Sequence, residues 1–174
     1  MTIEFTILKK SELRAPATFA EVEHLADCFL EFLRRPETMQ KIKEVHKFGA
    51  SSSEIQALVF PGAEALGFSH EKKGLFNNYA VAGLRPDYFM KVRNSGVLLE
   101  VERGKTTTNN MDLLDLWKCH ICEQADYLFL LVPQQRPSKN GKVMHHFKQV
   151  KKRLSTFFIS RNHVNVEGVF LFGY

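Results

Sequence analysis

The feature that most constrains the fold is a run of six apolar residues, Tyr-Leu-Phe-Leu-Leu-Val at 127–132, which ends at Pro133. Because polar residues do not alternate with apolar ones in this run, it predicts a strand buried on both faces. Apolar residues at helical spacing precede it over 111–122 and follow it over 144–158. A further apolar segment, 164–172, predicts one or two closing strands.

The rest of the chain adds helices and a hairpin to this strand. Apolar periodicity and Ser51-x-x-Glu54, a capping box, predict three helices: 18–35, 37–48 and 51–66. Three short strands are predicted: 79–84, 87–92 and 97–102. A turn at 93–96 makes the last two a hairpin. This order predicts an α/β (α+β) fold, a mixed β-sheet flanked by helices on both faces.

Several classes of protein are excluded by composition. No apolar stretch reaches the roughly 20 residues that span a bilayer. The N-terminus lacks the basic start and long apolar run of a secretory signal. Three cysteines in 174 residues argue against a disulfide scaffold. We therefore expect a cytoplasmic protein with no membrane association.

Positive charge is concentrated in the C-terminal third of the chain. The formal net charge is +5, and no acidic residue lies between Asp126 and Glu167. The basic residues in that window are Arg136, Lys139, Lys142, Lys148, Lys151, Lys152, Arg153 and Arg161. Such a window beside a more acidic centre predicts contact with phosphate, and the alternative is a solvated surface.

Acidic residues on the predicted hairpin carry the main chemical signal. Glu100 and Glu102 lie two residues apart, so they share one face of their strand, and Asp87 begins the partner strand. Unpaired buried carboxylates are costly, and a divalent cation with oxygen ligands offsets both their burial and their repulsion. We therefore predict a Mg²⁺ site at three converging carboxylates. In the alternative, both glutamates lie on a solvated edge strand and pair with nearby cations: Arg85, Arg103 or Lys105.

This pattern resembles the PD-(D/E)xK nuclease superfamily, which has the restriction-endonuclease-like fold. The motif is Pro86-Asp87, then Glu100 thirteen residues later, one residue and Glu102, and the resemblance covers about 51–133. It implies that Asp87 and Glu100 bind Mg²⁺, for which Mn²⁺ can substitute, with the backbone carbonyl of Val101 as a further ligand. It also implies an auxiliary acid, Glu54, whose alternative role is the capping box.

The sequence departs from the family at the third motif position, where Glu102 replaces the usual lysine. We expect Glu102 to act as general base. Lys105 and Lys118 are the candidates for a migrated lysine, and the alternative for each is a surface or phosphate-contact role. The residues expected to bind DNA are Lys118, Lys148, Lys151, Lys152 and Arg153.

These expectations combine into one PD-(D/E)xK nuclease-like domain over 1–174. Its parts are N-terminal helices (1–50), a catalytic core (51–133), and a basic helix with closing strands (134–174). The resemblance implies a Mg²⁺-dependent DNA endonuclease, restriction-endonuclease-like, whose metal-activated water cuts the phosphodiester to leave a 5′-phosphate. A homodimer that cuts both strands is one expected arrangement. The alternatives are a repair or junction-resolving nuclease, an inactive nucleic-acid-binding module of the same fold, and an interaction domain that binds an acidic protein.

Overall fold

A computed structural model describes residues 2–47, 51–70, 74–81, 83–103, 106–137 and 143–174. The helices are α1 (Pro16–Arg34), α2 (Pro36–Val45), α3 (Ser52–Ala65), α4 (Met111–Ile121) and α5 (His146–Ser155), with a 3-10 turn at Thr156–Phe158. The strands are β1 (Glu4–Lys9), β2 (Ser69–His70), β3 (Tyr88–Val92), β4 (Ser95–Val101), β5 (Tyr127–Val132), β6 (Arg136–Pro137), β7 (Val143–Met144) and β8 (Gly168–Gly173).

Six strands form one mixed sheet in the order β1-β8-β5-β4-β3-β2. The three central strands, β8, β5 and β4, run parallel to one another. The outer strands are antiparallel: β1 joins β8, and β3 and β2 follow β4. The parallel centre brings the carboxyl ends of β4, β5 and β8 to the same edge of the sheet, which is where open α/β sheets commonly bind ligands.

Helices cover both faces of this sheet, as the sequence predicts. On one face, α1, α2 and α3 pack on residues such as Leu99 and Phe129. On the other face, α4 and α5 pack on Leu98, Leu128 and Leu130. Neighbouring residues of a strand therefore belong to different layers, and β5 is buried along its whole length. The predicted mixed sheet with helices on both faces is confirmed.

The N-terminal part, predicted as helices within 1–50, also contains a strand. Residues Glu4–Lys9 form an edge strand that pairs with β8 in continuous register, from Glu4 with Gly173 to Lys9 with Gly168. The alternation of Ile3, Phe5 and Ile7 with polar residues is the signal for this half-buried strand. The closing segment correspondingly contributes one strand, β8.

Two other predictions concern the middle of the chain. The Ser51–Glu54 capping box is present, and α3 continues through Pro61. The predicted strand 79–84 is wrong: its described residues form turns and bends. The Tyr79 hydroxyl donates to the Ile121 carbonyl at 2.6 Å, which ties this segment to the end of α4 and not to a neighbouring strand.

Across the described ranges, no helix has both the length and the apolar character needed to cross a membrane.

Candidate active site

The β3–β4 hairpin brings Asp87 and Glu100 together. Tyr88 pairs with Leu99 in the antiparallel register, so the preceding Asp87 lies beside Glu100. The Asp87 backbone N–H donates to Glu100 Oε2 at 3.3 Å, and the Val101 N–H donates to Asp87 Oδ2 at 2.8 Å. Two of the predicted acids and the backbone of Val101 therefore meet at the carboxyl end of β4.

Burial makes ionisation of these two acids costly. Glu100 is 3% exposed because β4 lies inside the sheet and is covered by helices. Burial raises the pKa of Glu100 well above its ordinary value, and the charge of Asp115 raises it further. Burial also raises the pKa of Asp87, which the hydrogen bond from the Val101 N–H partly offsets. The pair therefore favours a nearby cation.

Helix α4 turns three ionisable residues towards the sheet: Asp112, Asp115 and Lys118. They are three residues apart in succession, so they lie on one face of the helix. The Lys118 ammonium forms ion pairs with Glu100 and, at 2.9 Å, with Asp115. Although burial alone lowers the pKa of Lys118, the charges of these two carboxylates raise it above its ordinary value. Lys118 is therefore a buried cation at the predicted site.

Glu102 follows the last residue of β4 and is held by its backbone. Its N–H donates to the Leu131 carbonyl at 2.8 Å, and its carbonyl accepts from the Tyr174 hydroxyl at 2.9 Å. Burial, followed by the charges of Asp115 and Asp87, raises the pKa of Glu102 to about 8. We call Asp87, Glu100, Glu102 and Asp115 the acidic cluster.

The acidic cluster fits a Mg²⁺ ion only in part. Among the described residues, no group of three or more His, Cys, Asp or Glu is arranged so that it could hold a metal ion. The predicted three-carboxylate site is therefore not formed in this structure. Asp87 and Glu100 remain as adjacent hard oxygen donors, and the Lys118 ammonium already contacts Glu100 Oε1. Since Mg²⁺ commonly takes one or two carboxylates and completes its shell with water and substrate phosphate, this pair fits such an ion.

The structure does not bring Glu54 to this pair. Glu54 is exposed, and its carboxylate accepts from the Ser51 N–H at 2.9 Å, which is the capping-box role. The residue of α3 that reaches the site is Gln56, whose side chain lowers the pKa of the Asp87 carboxyl. Gln56 is two residues beyond Glu54, and nothing in the sequence distinguished it.

Two of the residues predicted to bind DNA are turned inwards. Lys118 does not lie on the surface, since its side chain is 8% exposed and is paired with Glu100 and Asp115. Arg153 contacts Asp112 at 3.3 Å and donates to the Thr107 carbonyl at 3.2 Å and to Asn110 Oδ1 at 2.6 Å. Arg153 thus fixes the segment 107–112, which leads into α4.

The other three predicted DNA-binding residues are exposed on α5: Lys148, Lys151 and Lys152. Val150 and Leu154 of the same helix are buried under the sheet, which leaves the lysines directed to solvent. These three lysines therefore form an exposed basic surface on α5. Lys105, the other candidate for a migrated lysine, lies outside the described residues.

Comparison with known proteins gives little further information. The chain matches no protein-family model and no curated protein. One similar solved structure is the restriction endonuclease BglII complexed with a DNA 16-mer, with 13% sequence identity and a TM-score of 0.49. The alignment covers 99% of this chain and 78% of that chain. At these values the similarity assigns neither a family nor an activity to the chain.

Proposed function

We propose that the protein is a Mg²⁺-dependent DNA endonuclease of the PD-(D/E)xK type. The observation that carries the proposal is the buried contact of Asp87 with Glu100, with the Lys118 ammonium against Glu100. Two carboxylates and a lysine are the groups that the sequence resemblance leads us to expect at such a site. Here the lysine comes from α4 and not from the strand.

The metal ligands in this proposal are Asp87, Glu100 and the carbonyl of Val101. These groups would hold a Mg²⁺ ion, or Mn²⁺ in its place, which would supply Lewis-acid chemistry: it would polarise a phosphoryl oxygen and lower the pKa of a water. The Val101 N–H holds the Asp87 carboxyl through its hydrogen bond, and the hairpin register fixes the separation of the two acids. The rigid strand pair therefore provides the preorganisation that phosphoryl transfer requires.

Two residues are candidates for the functions of the lysine that is missing from the strand. Lys118 contacts Glu100 directly and brings positive charge to the site, where it can stabilise charge that develops on the phosphate. Glu102 directly follows β4, the strand that carries Glu100, and is a candidate general base. We assign the charge-stabilising role to Lys118 and retain Glu102 as the proton acceptor. Because its pKa is about 8 without a metal, Glu102 takes this role only when ionised, a form that a divalent cation beside Asp87 and Glu100 would favour.

The DNA lies, in this proposal, against the exposed lysines of α5. α4 and α5 cover the same face of the sheet, so this basic surface is on the side from which Lys118 reaches the acidic cluster. We propose first that the protein is a restriction endonuclease that acts as a homodimer and cuts both strands. Our second proposal is a repair or junction-resolving nuclease.

A second candidate is a nucleic-acid-binding module that has lost catalysis. It is favoured by one observation, the ion pairs that Lys118 makes with Glu100 and Asp115. In that candidate, the ammonium permanently occupies the position of the metal ion. The basic surface of α5 is then the functional part of the protein.

Cleavage of supercoiled plasmid separates these candidates. With Mg²⁺ or Mn²⁺, we expect nicked or linear product carrying 5′-phosphate ends, and with EDTA we expect none. DNA binding without cleavage at any concentration of either metal would favour the inactive module. Absence of both binding and cleavage at low salt would contradict both candidates and favour the interaction domain.

A further inference from the structure

Four segments of the chain meet beside the acidic cluster and contribute basic groups. The His46 ring, at the end of α2, lies 3.1 Å through Nε2 from the Gln135 carbonyl. The same ring packs edge-on against Tyr174 at 5.3 Å, and the Tyr174 hydroxyl contacts the Glu102 carbonyl. The region is therefore connected directly to the end of β4.

Two further basic side chains in this region are almost fully buried. Arg103 is 4% exposed and donates through its guanidinium to the Val45 carbonyl at 3.4 Å and to the Lys47 carbonyl. His146, at the start of α5, is 1% exposed and contacts the Thr107 hydroxyl through Nδ1 at 3.1 Å. These contacts fix both side chains in position.

Arg136 completes the group, which we call the basic cluster: His46, Arg103, Arg136 and His146. Arg136 is partly exposed on β6 and pairs in register with Met144, two residues before His146. His46 is also partly exposed, so these two residues form the outer side of the cluster. The cluster thus reaches the surface.

Three nitrogens of the basic cluster are left without hydrogen-bond partners by the described residues around them. Within the described ranges, three buried nitrogens have no hydrogen-bond partner: His46 Nδ1, Arg103 Nε and His146 Nε2. Buried polar groups without partners are uncommon, because each costs roughly 1–3 kcal/mol. Among the same residues, none of the recorded ion pairs joins His46, Arg103 or His146 to a carboxylate.

The positive charge of the cluster acts on its own histidines. Burial, and then the charges of Arg103 and Arg136, lower the pKa of His46. Burial, and then the charges of Arg136 and His46, lower the pKa of His146. Both imidazoles are therefore neutral at pH 7 in the free protein. A bound anion would relieve this repulsion and favour their protonated, doubly donating form.

We infer that the basic cluster binds a phosphate group of the DNA backbone, next to the phosphate that is cut. The inference rests on the proposed function, because the acidic cluster defines where the cut phosphate lies. Arginine forks and protonated imidazoles both form charge-assisted hydrogen bonds with phosphate oxygens. The cluster would therefore fix the position of the backbone relative to Glu100.

Titration of the histidine side chains by NMR tests this inference on the intact chain. Inorganic phosphate is added at constant ionic strength against chloride, and a short DNA duplex is added in EDTA so that it is not cut. We expect both ligands to shift the His46 and His146 signals and to raise the pKa of each imidazole. His24, which is exposed on α1 and contacts none of the cluster residues in the described part of the chain, serves as the control and should not respond.

Variants provide the second measurement. His46→Gln and Arg136→Gln should each weaken metal-free binding of the duplex by roughly tenfold, the size expected for one charge-assisted hydrogen bond. His24→Gln should bind as the wild type does. Duplex binding with unmoved His46 and His146 signals and wild-type affinity in both variants would overturn this inference and leave the nuclease proposal standing. Shifts with inorganic phosphate but no binding of DNA would overturn the assignment to DNA, together with the proposed function.

Discussion

Glu100 and Glu167 are equally buried, 3% and 1% exposed, but their surroundings are opposite. Glu167 accepts from the Arg14 N–H at 2.7 Å and the Arg14 Nε at 2.9 Å, and it pairs with Lys10 at 3.1 Å. Glu100 shares one ammonium, that of Lys118, with Asp115 and lies against a third carboxylate, Asp87.

The pKa values of the two residues follow this difference. Burial alone raises the pKa of Glu167, but the hydrogen bonds from Arg14 and Lys10 bring it below its ordinary value. Burial and neighbouring acids raise the pKa of Glu100. The protein therefore satisfies one buried carboxylate with its own cations and leaves the other with too few. Perturbed acids of the second kind concentrate at functional sites. This difference between Glu100 and Glu167 supports our proposal that the chemistry takes place at the acidic cluster.

The largest effect is expected from removing the acids themselves. Asp87→Ala and Glu100→Ala should each lower plasmid cleavage by on the order of 10³-fold, because the metal loses a ligand. Metal-free DNA binding should be no weaker, since negative charge is removed. Glu167→Gln, the matched change in the satisfied region, should lower stability without lowering cleavage by the folded protein. Equal loss of cleavage in Glu167→Gln would break the comparison.

The second-largest effect is expected from removing a cation, and the loss of stability should differ between the two regions. Lys118→Met leaves Glu100 and Asp115 without a cation, and we expect a stability loss of about 3–5 kcal/mol. Lys10→Met should cost less than about 1 kcal/mol, because Lys10 is partly exposed and Glu167 keeps Arg14. Urea unfolding measures both changes.

Cleavage assays on Lys118→Met, and on a further variant, Glu102→Gln, test the role that we assign to each of these two residues. Lys118→Met and Glu102→Gln should each slow cleavage by on the order of 10²-fold at fixed Mg²⁺, as expected for loss of charge stabilisation and of a general base. Wild-type cleavage by Lys118→Met would make the lysine structural. Cleavage by Glu102→Gln at the wild-type rate would show that Glu102 is not the general base.

The pH dependence of stability should run in opposite directions in the two regions. The pKa of Glu102 rises from its ordinary 4.5 to about 8 on folding, so between these pH values the folded protein holds a proton that the unfolded chain has lost. Stability of the metal-free protein should therefore fall between pH 5 and 8, and Glu102→Gln should reduce that fall by on the order of 2 kcal/mol.

Glu167 supplies the matching control. Because folding lowers the pKa of Glu167, its contribution is present at neutral pH and is lost as the pH falls through the folded value. Glu167→Gln should thus change the acid limb of the stability profile and leave the fall from pH 5 to 8 unchanged. Both profiles come from urea unfolding in EDTA. A Glu102→Gln profile parallel to the wild type above pH 5 would contradict the burial argument.

The smallest effect concerns the basic surface. Neutralising Lys148 and Lys151 on α5 should reduce the slope of log K against log salt by about two units. Neutralising Lys41 and Lys43, which are exposed on α2 across the sheet, should leave the slope unchanged. Equal effects of the two pairs would indicate that DNA does not lie along α5.

Much of the fold was predictable because it depends on local pattern. The apolar run of β5 and the turn of the β3–β4 hairpin each fix an element without reference to distant residues. The acidic pair was predictable for the same reason, since Asp87 and Glu100 lie on adjacent strands of one hairpin. The edge strand β1 was missed, although its alternation was visible, because its partner β8 is at the other end of the chain.

Helix α4 shows why the rest of the site was not predicted. Its apolar residues suggested an ordinary amphipathic helix, yet Trp117 and Leu114 are 38% and 37% exposed, whereas Asp112 and Asp115 are fully buried. The three-residue spacing of Asp112, Asp115 and Lys118 was a usable signal. The direction of these side chains was not predictable, because hydrophobicity assigns charged residues to the surface. Their burial depends on distant partners: Arg153 pairs with Asp112, and Lys118 pairs with both Asp115 and Glu100.

Mg²⁺ dependence of the unfolding free energy tests the central claim most directly, because it measures cation binding without requiring activity. At constant ionic strength, millimolar Mg²⁺ should stabilise the wild type and Glu167→Gln to the same extent, as mass action requires for a ligand of the folded state. Glu100→Gln should show no such stabilisation. Equal stabilisation of Glu100→Gln and the wild type, or none in the wild type up to tens of millimolar, would contradict the claim that the acidic cluster is completed by a divalent cation.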